Sequence, residues 1–377
     1  MILIGLMSGT SADGIDAVAA EIGEERPRPS VRLIAHTATP YPPALRARIL
    51  AASEGEALAA ADVARLHARI GEAHAEAASA CLAAAGLDAL QVDAVATHGQ
   101  TVAHLPEERP RATLQLGDPS RIAHALRRPV VADFRSADIA AGGEGAPLVP
   151  FADWVLFARE GTGLAVQNVG GIANVTVLPP DARSESVFAF DTGPGNMVSD
   201  GLVARLTDGA ERFDRDGARA ARGTVDEVLL DRMLAHDFFA SAPPKSTGRE
   251  AFGASFVDAL VDEAGEAAVD DLIATATALT ARSIARAYRD FVYPRARIDE
   301  VIVGGGGARN PTLLGMLRRE LGDLPIRTSD ELGVPAQAKE ALAFAILGAF
   351  ALRGETNTLP RCTGASRAVV GGAIWRT

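Results

Sequence analysis

Cysteine is nearly absent: Cys81 and Cys362 are the only two in 377 residues. They lie far apart and neither sits in a CxxC or Cys/His spacing, so the chain encodes neither a disulfide framework nor a structural zinc site. Basic charge is also scarce. A formal net charge of -11 argues against a broad nucleic-acid or anionic-membrane face, so neither partner is expected and any anionic substrate must be held by local groups. Long apolar runs are missing too, none approaching the roughly 18 residues of a membrane span. The short apolar start, Ile2 to Leu6, lacks a basic flank and passes at once to Ser8, Thr10 and Asp13, unlike a signal peptide. A reducing, cytoplasmic setting is expected.

What is present is core material: 48% of residues are hydrophobic and 23% charged, in a chain long enough for two domains. The chain is organised around its first stretch, Met1 to Ile22. Two apolar runs flank a turn of small and hydroxylated residues, Gly9, Thr10, Ser11, Ala12, Asp13, Gly14, Ile15 and Asp16. That reads as strand, loop, strand. Glycines let the backbone approach an anion and the hydroxyls can donate to phosphate oxygens. Asp13 and Asp16 would repel a bare phosphate, so they make sense beside a divalent cation or an attacking group.

Further along, Val31 to His36 reads as a third strand, and about Ala57 to Ala85 as an Ala-rich helix closed by Gly86. His67 and His74 lie seven apart on it and are expected on its solvated face. The strand Val92 to Thr97 delivers His98 and Gln100 at its carboxyl end, where ligands of open α/β sheets collect. Pro129 to Ala132 reads as a strand ending at Asp133 and Arg135. The Gly- and Pro-rich AAGGEGAPLVP that follows reads as a crossing between domains.

A second strand-turn-strand, Leu164 to Val169 and Ile172 to Val177 around Gly170 and Gly171, repeats the opening layout about 160 residues on. Two such turns suggest a clamp on a nucleotide. Val187 to Phe190 then runs into Asp191, a carboxylate at a strand end. Val301 to Val303 feeds the glycine run Gly304, Gly305, Gly306 and Gly307, suited to a backbone approaching a base or ribose, with Asn310 as helix N-cap and Pro311 behind it. Lys339 to Leu352 is expected to be an amphipathic helix that carries Glu340 inward.

No Gly-Lys-Ser/Thr follows the glycine run and G-x-G-x-x-G is missing, which removes a P-loop and weakens a dinucleotide site. Asp191-Thr192-Gly193 matches the aspartic-protease triplet but has no second copy, and no G-x-S-x-G elbow occurs. The remaining parts fit phosphoryl transfer: Asp13 or Asp16 near metal and phosphates, and Asp191 as base.

The strings LMSGTSADGID, THGQT, ADFRSADIAAGGEGAPLVP, QNVGGIAN, FDTGPGN, PPKSTGREAF, VGGGGARNPTL and PAQAKEALAFAILG resemble the anhydro-N-acetylmuramic acid kinases of the actin-like/sugar kinase superfamily. The resemblance runs in order from residue 6 to about residue 348. It implies an α/β protein of two ribonuclease-H-like (actin-like ATPase) domains with a nucleotide cleft between them, 1–150 with 351–377 and 151–350. It further implies ATP with Mg2+, Asp13 being assigned to the metal. The loop Gly9 to Asp16 would bind the phosphates, joined by Gly170, Gly171, Gly305, Gly306 and Asn310. His98, Asp133, Arg135 and Glu340 would hold the sugar, Arg135 by its lactyl carboxylate. Asp191 would activate water, opening the anhydro ring as O6 takes the γ-phosphoryl group. Lys245 and Arg249 receive no role. The expected assembly is a homodimer.

Overall fold

The computed structural model describes residues 1–264 and 268–376, which form two compact units: Met1–Phe157 with Gln337–Thr377, and Ala158–Ala336. The first contains β1 (Ile2–Ser8), β2 (Gly14–Ile22), β3 (Val31–Pro40), β4 (Ala94–Leu105), β5 (Ala112–Leu116) and β6 (Val130–Ala132). Antiparallel β3, β2 and β1 continue into parallel β4 and β6; β5 pairs with β4, and the last strand, Ala373–Trp375, adds antiparallel to β6. The chain's closing residues therefore return to the first unit. The apolar runs that suggest strands are buried on both faces: Leu3, Ile4, Leu6, Val18, Ala19 and Ala20 are all solvent-free.

The second unit contains β7 (Leu164–Val169), β8 (Ile172–Leu178), β9 (Phe188–Pro194), β10 (Glu300–Gly304) and β11 (Ile326–Thr328). Its order is β9-β8-β7-β10-β11, again three antiparallel strands followed by two parallel ones. This repeats the first unit's β3-β2-β1-β4-β6 strand for strand. Each unit is thus ribonuclease-H-like, and the layout shared by the two hairpins extends to the whole sheet.

The units change at Phe157/Ala158 and Ala336/Gln337, not at 150/151 and 350/351. Packing explains the shift. Lys339–Leu352 lies on β1, where a Cβ at Gly5 would come within 2.1 Å of Ala341 O and one at Gly348 within 2.5 Å of Ala96 Cβ. This close seat buries the helix on nearly every side, so it is a core helix and not an amphipathic one, and its exposed exception is Glu340. Lys339 is buried instead, in an ion pair with Asp153 at 2.7 Å. The AAGGEGAPLVP segment is no crossing either. Its Gly145 N–H donates to Asp138 at 2.9 Å and its Glu144 N–H to Thr363 O at 2.8 Å, which ties it into the first unit.

The helix Ala60–Ala85 ends on Gly86 in the left-handed region, as its sequence indicates. His74 departs from expectation: it is fully buried, because its face of the helix packs on the sheet. Among the described residues no helix is long and apolar enough to cross a membrane.

Candidate active site

In the first unit, the turn itself is Gly9 to Asp13, shorter than the expected Gly9 to Asp16 because Gly14, Ile15 and Asp16 already pair within β2, and it is fastened from beneath. The Gln100 side chain on β4 donates to Gly9 O at 3.1 Å and lies 2.6 Å from Ser8 Oγ. Ala12 turns left-handed with φ of 51° and is buried, as is Ile15, so these two can reach a ligand only through main chain. Thr10, Ser11 and Asp13 are exposed, and no atom stands within 4 Å of where a Gly9 Cβ would be. That open backbone suits phosphate oxygens. Asp13 Oδ1 accepts from Arg46 at 2.8 Å, and Asp16 Oδ1 lies 3.0 Å from His36 Nε2. No cluster of three His, Cys, Asp or Glu able to hold a metal occurs among the described residues. The exposed Asp13 carboxylate is an oxygen donor of the kind that a Mg2+ carried largely by phosphates would take.

Next to this turn, in the same unit, stand His98 and Arg135. Arg135 donates to His98 Nε2 through Nε at 3.0 Å and Nη2 at 2.8 Å. Arginine cannot accept, so Nε2 is the bare nitrogen and Nδ1 carries the proton, 3.0 Å from Gly99 O. Burial holds the imidazole well below its ordinary pKa, aided by the guanidinium, and it stays neutral. Burial also lowers Arg135 to about 10, against the pull of Glu340 and Asp138. Its Nη1 donates to Gly145 O at 2.6 Å, so the fork is fully oriented.

Asp133 is exposed, with φ of 56°, and shares with His98, His67, Ser136 and Trp375 a recess of about 260 Å³. Glu340 is open to solvent yet crowded by protein, and partial loss of water raises its carboxyl; Asp16 adds to this while Lys339 and Arg135 oppose it. His98, Arg135 and Glu340 thus form one electrostatic group, with Asp133 beside His98.

In the second unit, the Gly170-Gly171 turn and the start of the helix Met197–Leu206 interlock. Asn196 N–H donates to Gly170 O at 2.7 Å, and Gly195 N–H and Met197 N–H donate to Gly171 O at 2.8 and 3.1 Å. A Cβ at Gly195 would fall 2.2 Å from Gly170 O, so only glycine allows this closure. Gly305, at φ of 77°, passes as closely: a Cβ there would meet Val169 O at 2.7 Å. Both glycine turns therefore collect at the carboxyl ends of β7 and β10. Around Gly171 and Gly306 there is room, since a Cβ added at either would have its nearest neighbours 3.7 and 3.6 Å away. Asn310 caps its helix by accepting from Leu313 N–H at 2.9 Å, leaving its amide nitrogen for a ligand.

Asp191 lies inside β9, the edge strand of the same sheet, paired with Asn174 of β8 and three residues short of the strand's end at Pro194, so it is not at a strand end as its sequence suggests. Thr247 N–H donates to its Oδ2 at 2.9 Å, and Oδ1 has no hydrogen-bond partner among the described residues. Burial raises this carboxyl to about 6 and Glu250 adds to the rise, while the Thr247 hydrogen bond and Lys245 pull it down. Lys245 belongs to the same loop. Its Nζ donates to Phe238 O at 3.0 Å and lies 4.5 and 4.6 Å from the Phe238 and Phe291 ring centres. Burial lowers it to about 8. Thr247 carries no signal in the sequence because its contact is main chain to a side chain far away along the chain; Lys245 is visible there but has no local partner to assign it.

Paired ribonuclease-H-like units, each with an open glycine turn beyond its strand ends, define the actin-like/sugar kinase class. The family model described as anhydro-N-acetylmuramic acid kinase matches residues 1–377. The chain belongs to that family and is an enzyme of the sugar kinase type. Curated relatives carrying the same description include one from Caldanaerobacter subterraneus subsp. tengcongensis, 42% identical over 99% of this chain and 96% of its own. Another, from Salinibacter ruber, is 46% identical over 97% and 93%. Among solved structures, the activator of a 2-hydroxyisocaproyl-CoA dehydratase from Clostridium difficile aligns over 92% of this chain and 93% of its own at 12% identity, TM-score 0.45.

Proposed function

We propose that the chain is an ATP-dependent kinase that phosphorylates 1,6-anhydro-N-acetylmuramic acid while opening its anhydro bridge, giving N-acetylmuramic acid 6-phosphate for recovery of cell-wall amino sugar. The observation that carries this reading is Asp191, a partly dehydrated carboxylate with Oδ2 fixed by Thr247 and Oδ1 left for water. A general base works best with a pKa near operating pH, and about 6 answers that need.

Asp191 takes a proton from water as the water oxygen bonds to the anomeric carbon. The bond from that carbon to O6 breaks, and O6 uses its electron pair to take the γ-phosphoryl group, with ADP leaving. The Gly9–Asp13 turn would hold phosphates through main chain and the Thr10 and Ser11 hydroxyls. Gly171, Gly305 and Gly306, with the Asn310 amide, would meet the nucleoside. Mg2+, bound with the phosphates at Asp13, would supply neutralisation of their charge. Arg135 presents a guanidinium suited to the lactyl carboxylate, and His98, Asp133 and Glu340 supply hydrogen bonds to the sugar. Cys81 and Cys362 are buried and not joined in a disulfide, which is compatible with a reducing cytoplasm.

Turnover with the anhydro sugar and ATP in 18O-labelled water tests this. Label at the anomeric hydroxyl of a phosphorylated product is expected. Phosphorylation with the bridge intact would instead indicate another sugar kinase of the superfamily and overturn the ring-opening role of Asp191.

A further inference from the structure

His74 is given no task by the proposed chemistry, yet it is fully buried and both ring nitrogens are engaged. Nε2 lies 3.1 Å from the Tyr41 hydroxyl and Nδ1 lies 2.9 Å from Thr97 Oγ1. Burial pushes the imidazole down to about 4, so it is neutral and offers one donor and one acceptor. It is a two-ended connector.

Its Tyr41 end reaches the opening turn. Tyr41 is buried, and its N–H donates to Asp13 O at 3.3 Å. Ser8 Oγ lies 2.9 Å from Gly14 O and 2.6 Å from Gln100 Oε1, and Gln100 holds Gly9 O. The Thr97 end reaches the other group. Thr97 Oγ1 accepts from Gly99 N–H at 3.1 Å, Gly99 O faces His98 Nδ1, and His98 Nε2 receives Arg135. Every member of this chain lies in the first unit.

We infer that His74 is a positioning residue that couples the Gly9–Asp13 turn to the His98–Arg135 pair through a continuous buried hydrogen-bond chain. The inference rests on the proposed roles of those two groups at nucleotide and sugar. A buried polar chain is costly unless every member is satisfied, and when satisfied it fixes one geometry. An apolar side chain would fill the same helix position without that constraint. The ring therefore transmits displacement: moving Gly99 at one end shifts Tyr41, whose N–H holds Asp13 O, at the other.

The test uses the full chain and ADP as probe, because ADP affinity can be read without any sugar. Thr97→Val removes a hydroxyl that makes no hydrogen bond to the turn. It is expected to weaken ADP binding in calorimetry between about threefold and tenfold, the scale of one net hydrogen bond. Tyr41→Phe should do the same, and the double variant should fall well short of the product of the two. His74→Gln, able to retain the Tyr41 contact, should bind ADP better than His74→Asn, which can retain only the Thr97 contact. ADP affinity within about twofold of wild type in Thr97→Val, with only the melting temperature lowered, would overturn the coupling and leave a structural histidine. Strictly multiplicative effects in the double variant would overturn it too. A wild type that binds ADP but does not phosphorylate the anhydro sugar would refute the proposed substrate, while this ADP cycle would still decide whether His74 couples the two groups.

Discussion

Thr247 donates its main-chain N–H to Asp191 Oδ2 at 2.9 Å across 56 residues of sequence. The loop that supplies this donor also accepts the Asp191 N–H, through Lys245 O at 3.2 Å. The carboxylate is held at both its backbone and its outer oxygen, so its rotamer is set before any substrate arrives.

Asp191→Asn keeps the shape and the Thr247 contact but cannot accept a proton. Turnover is expected to vanish while ADP affinity stays within about twofold, read by calorimetry. A large loss of ADP binding would show that the residue belongs to the nucleotide site.

The same substitution should stabilise the fold above neutrality. The Asp191 carboxyl rises from 3.8 to about 6 on folding, so the folded chain binds this proton more tightly and loses stability as pH climbs from about 4 through 6. At pH well above 6, Asp191→Asn removes that cost, up to about 3 kcal/mol. Melting curves should show the gain at alkaline pH and its disappearance in acid.

Lys245 predicts the shape of the pH profile. kcat/KM should fall below about 6 as Asp191 takes its proton. Lys245→Met should move that limb upward, because a cation that lowers the carboxyl is gone. A limb left unmoved in Lys245→Met would detach Lys245 from the base.

Gly306→Ala and Gly305→Ala should differ. At Gly306 the new methyl meets nothing nearer than Asn196 Nδ2 at 3.6 Å, so the fold should be undisturbed and ADP affinity should drop by about tenfold or more if the backbone meets the nucleoside. Gly305→Ala adds the left-handed cost of about 1–2 kcal/mol and a collision with Val169 O, so its melting temperature should fall as well.

Much of the molecule is legible in its sequence where the cause is local. Gly86 and Asn310-Pro311 mark helix ends through their own backbone preferences, and the two hairpins announce themselves by apolar runs around small turns. Illegible features come from packing between distant segments. His74 reads as solvated because helical periodicity cannot show that a third element, carrying Thr97, covers that face. Lys339–Leu352 reads as two-faced because nothing in its own residues reveals a sheet at Gly5 and a helix holding Asp153 on its other side. At the site, Arg135 and His98 stand in the sequence as separate strand-end residues; their bidentate contact depends on Gly145 being tied back to Asp138, which no spacing encodes.

The buried Lys339–Asp153 pair offers a stability test. Removing one partner strands a charge in the core, so Lys339→Met is expected to cost about 3–5 kcal/mol, read by chemical denaturation. Lys339→Met with Asp153→Leu should recover most of that loss. If the double variant is no better than the single, the pair is not the source of the penalty.

The first unit is interrupted in sequence: its sheet is begun by residues 2–132 but its central covering helix arrives only at 339–352. During synthesis on the ribosome, the second unit is complete in sequence while the first still lacks the layer that covers Leu3, Gly5 and Ala96. The usual order, in which the N-terminal body folds first, is therefore expected to be reversed here. Nascent chains stalled soon after residue 336 has cleared the exit tunnel should yield a protease-resistant fragment from 158–336 and a digestible N-terminal part. Resistance of the N-terminal part at that stage would show that the sheet closes without its helix.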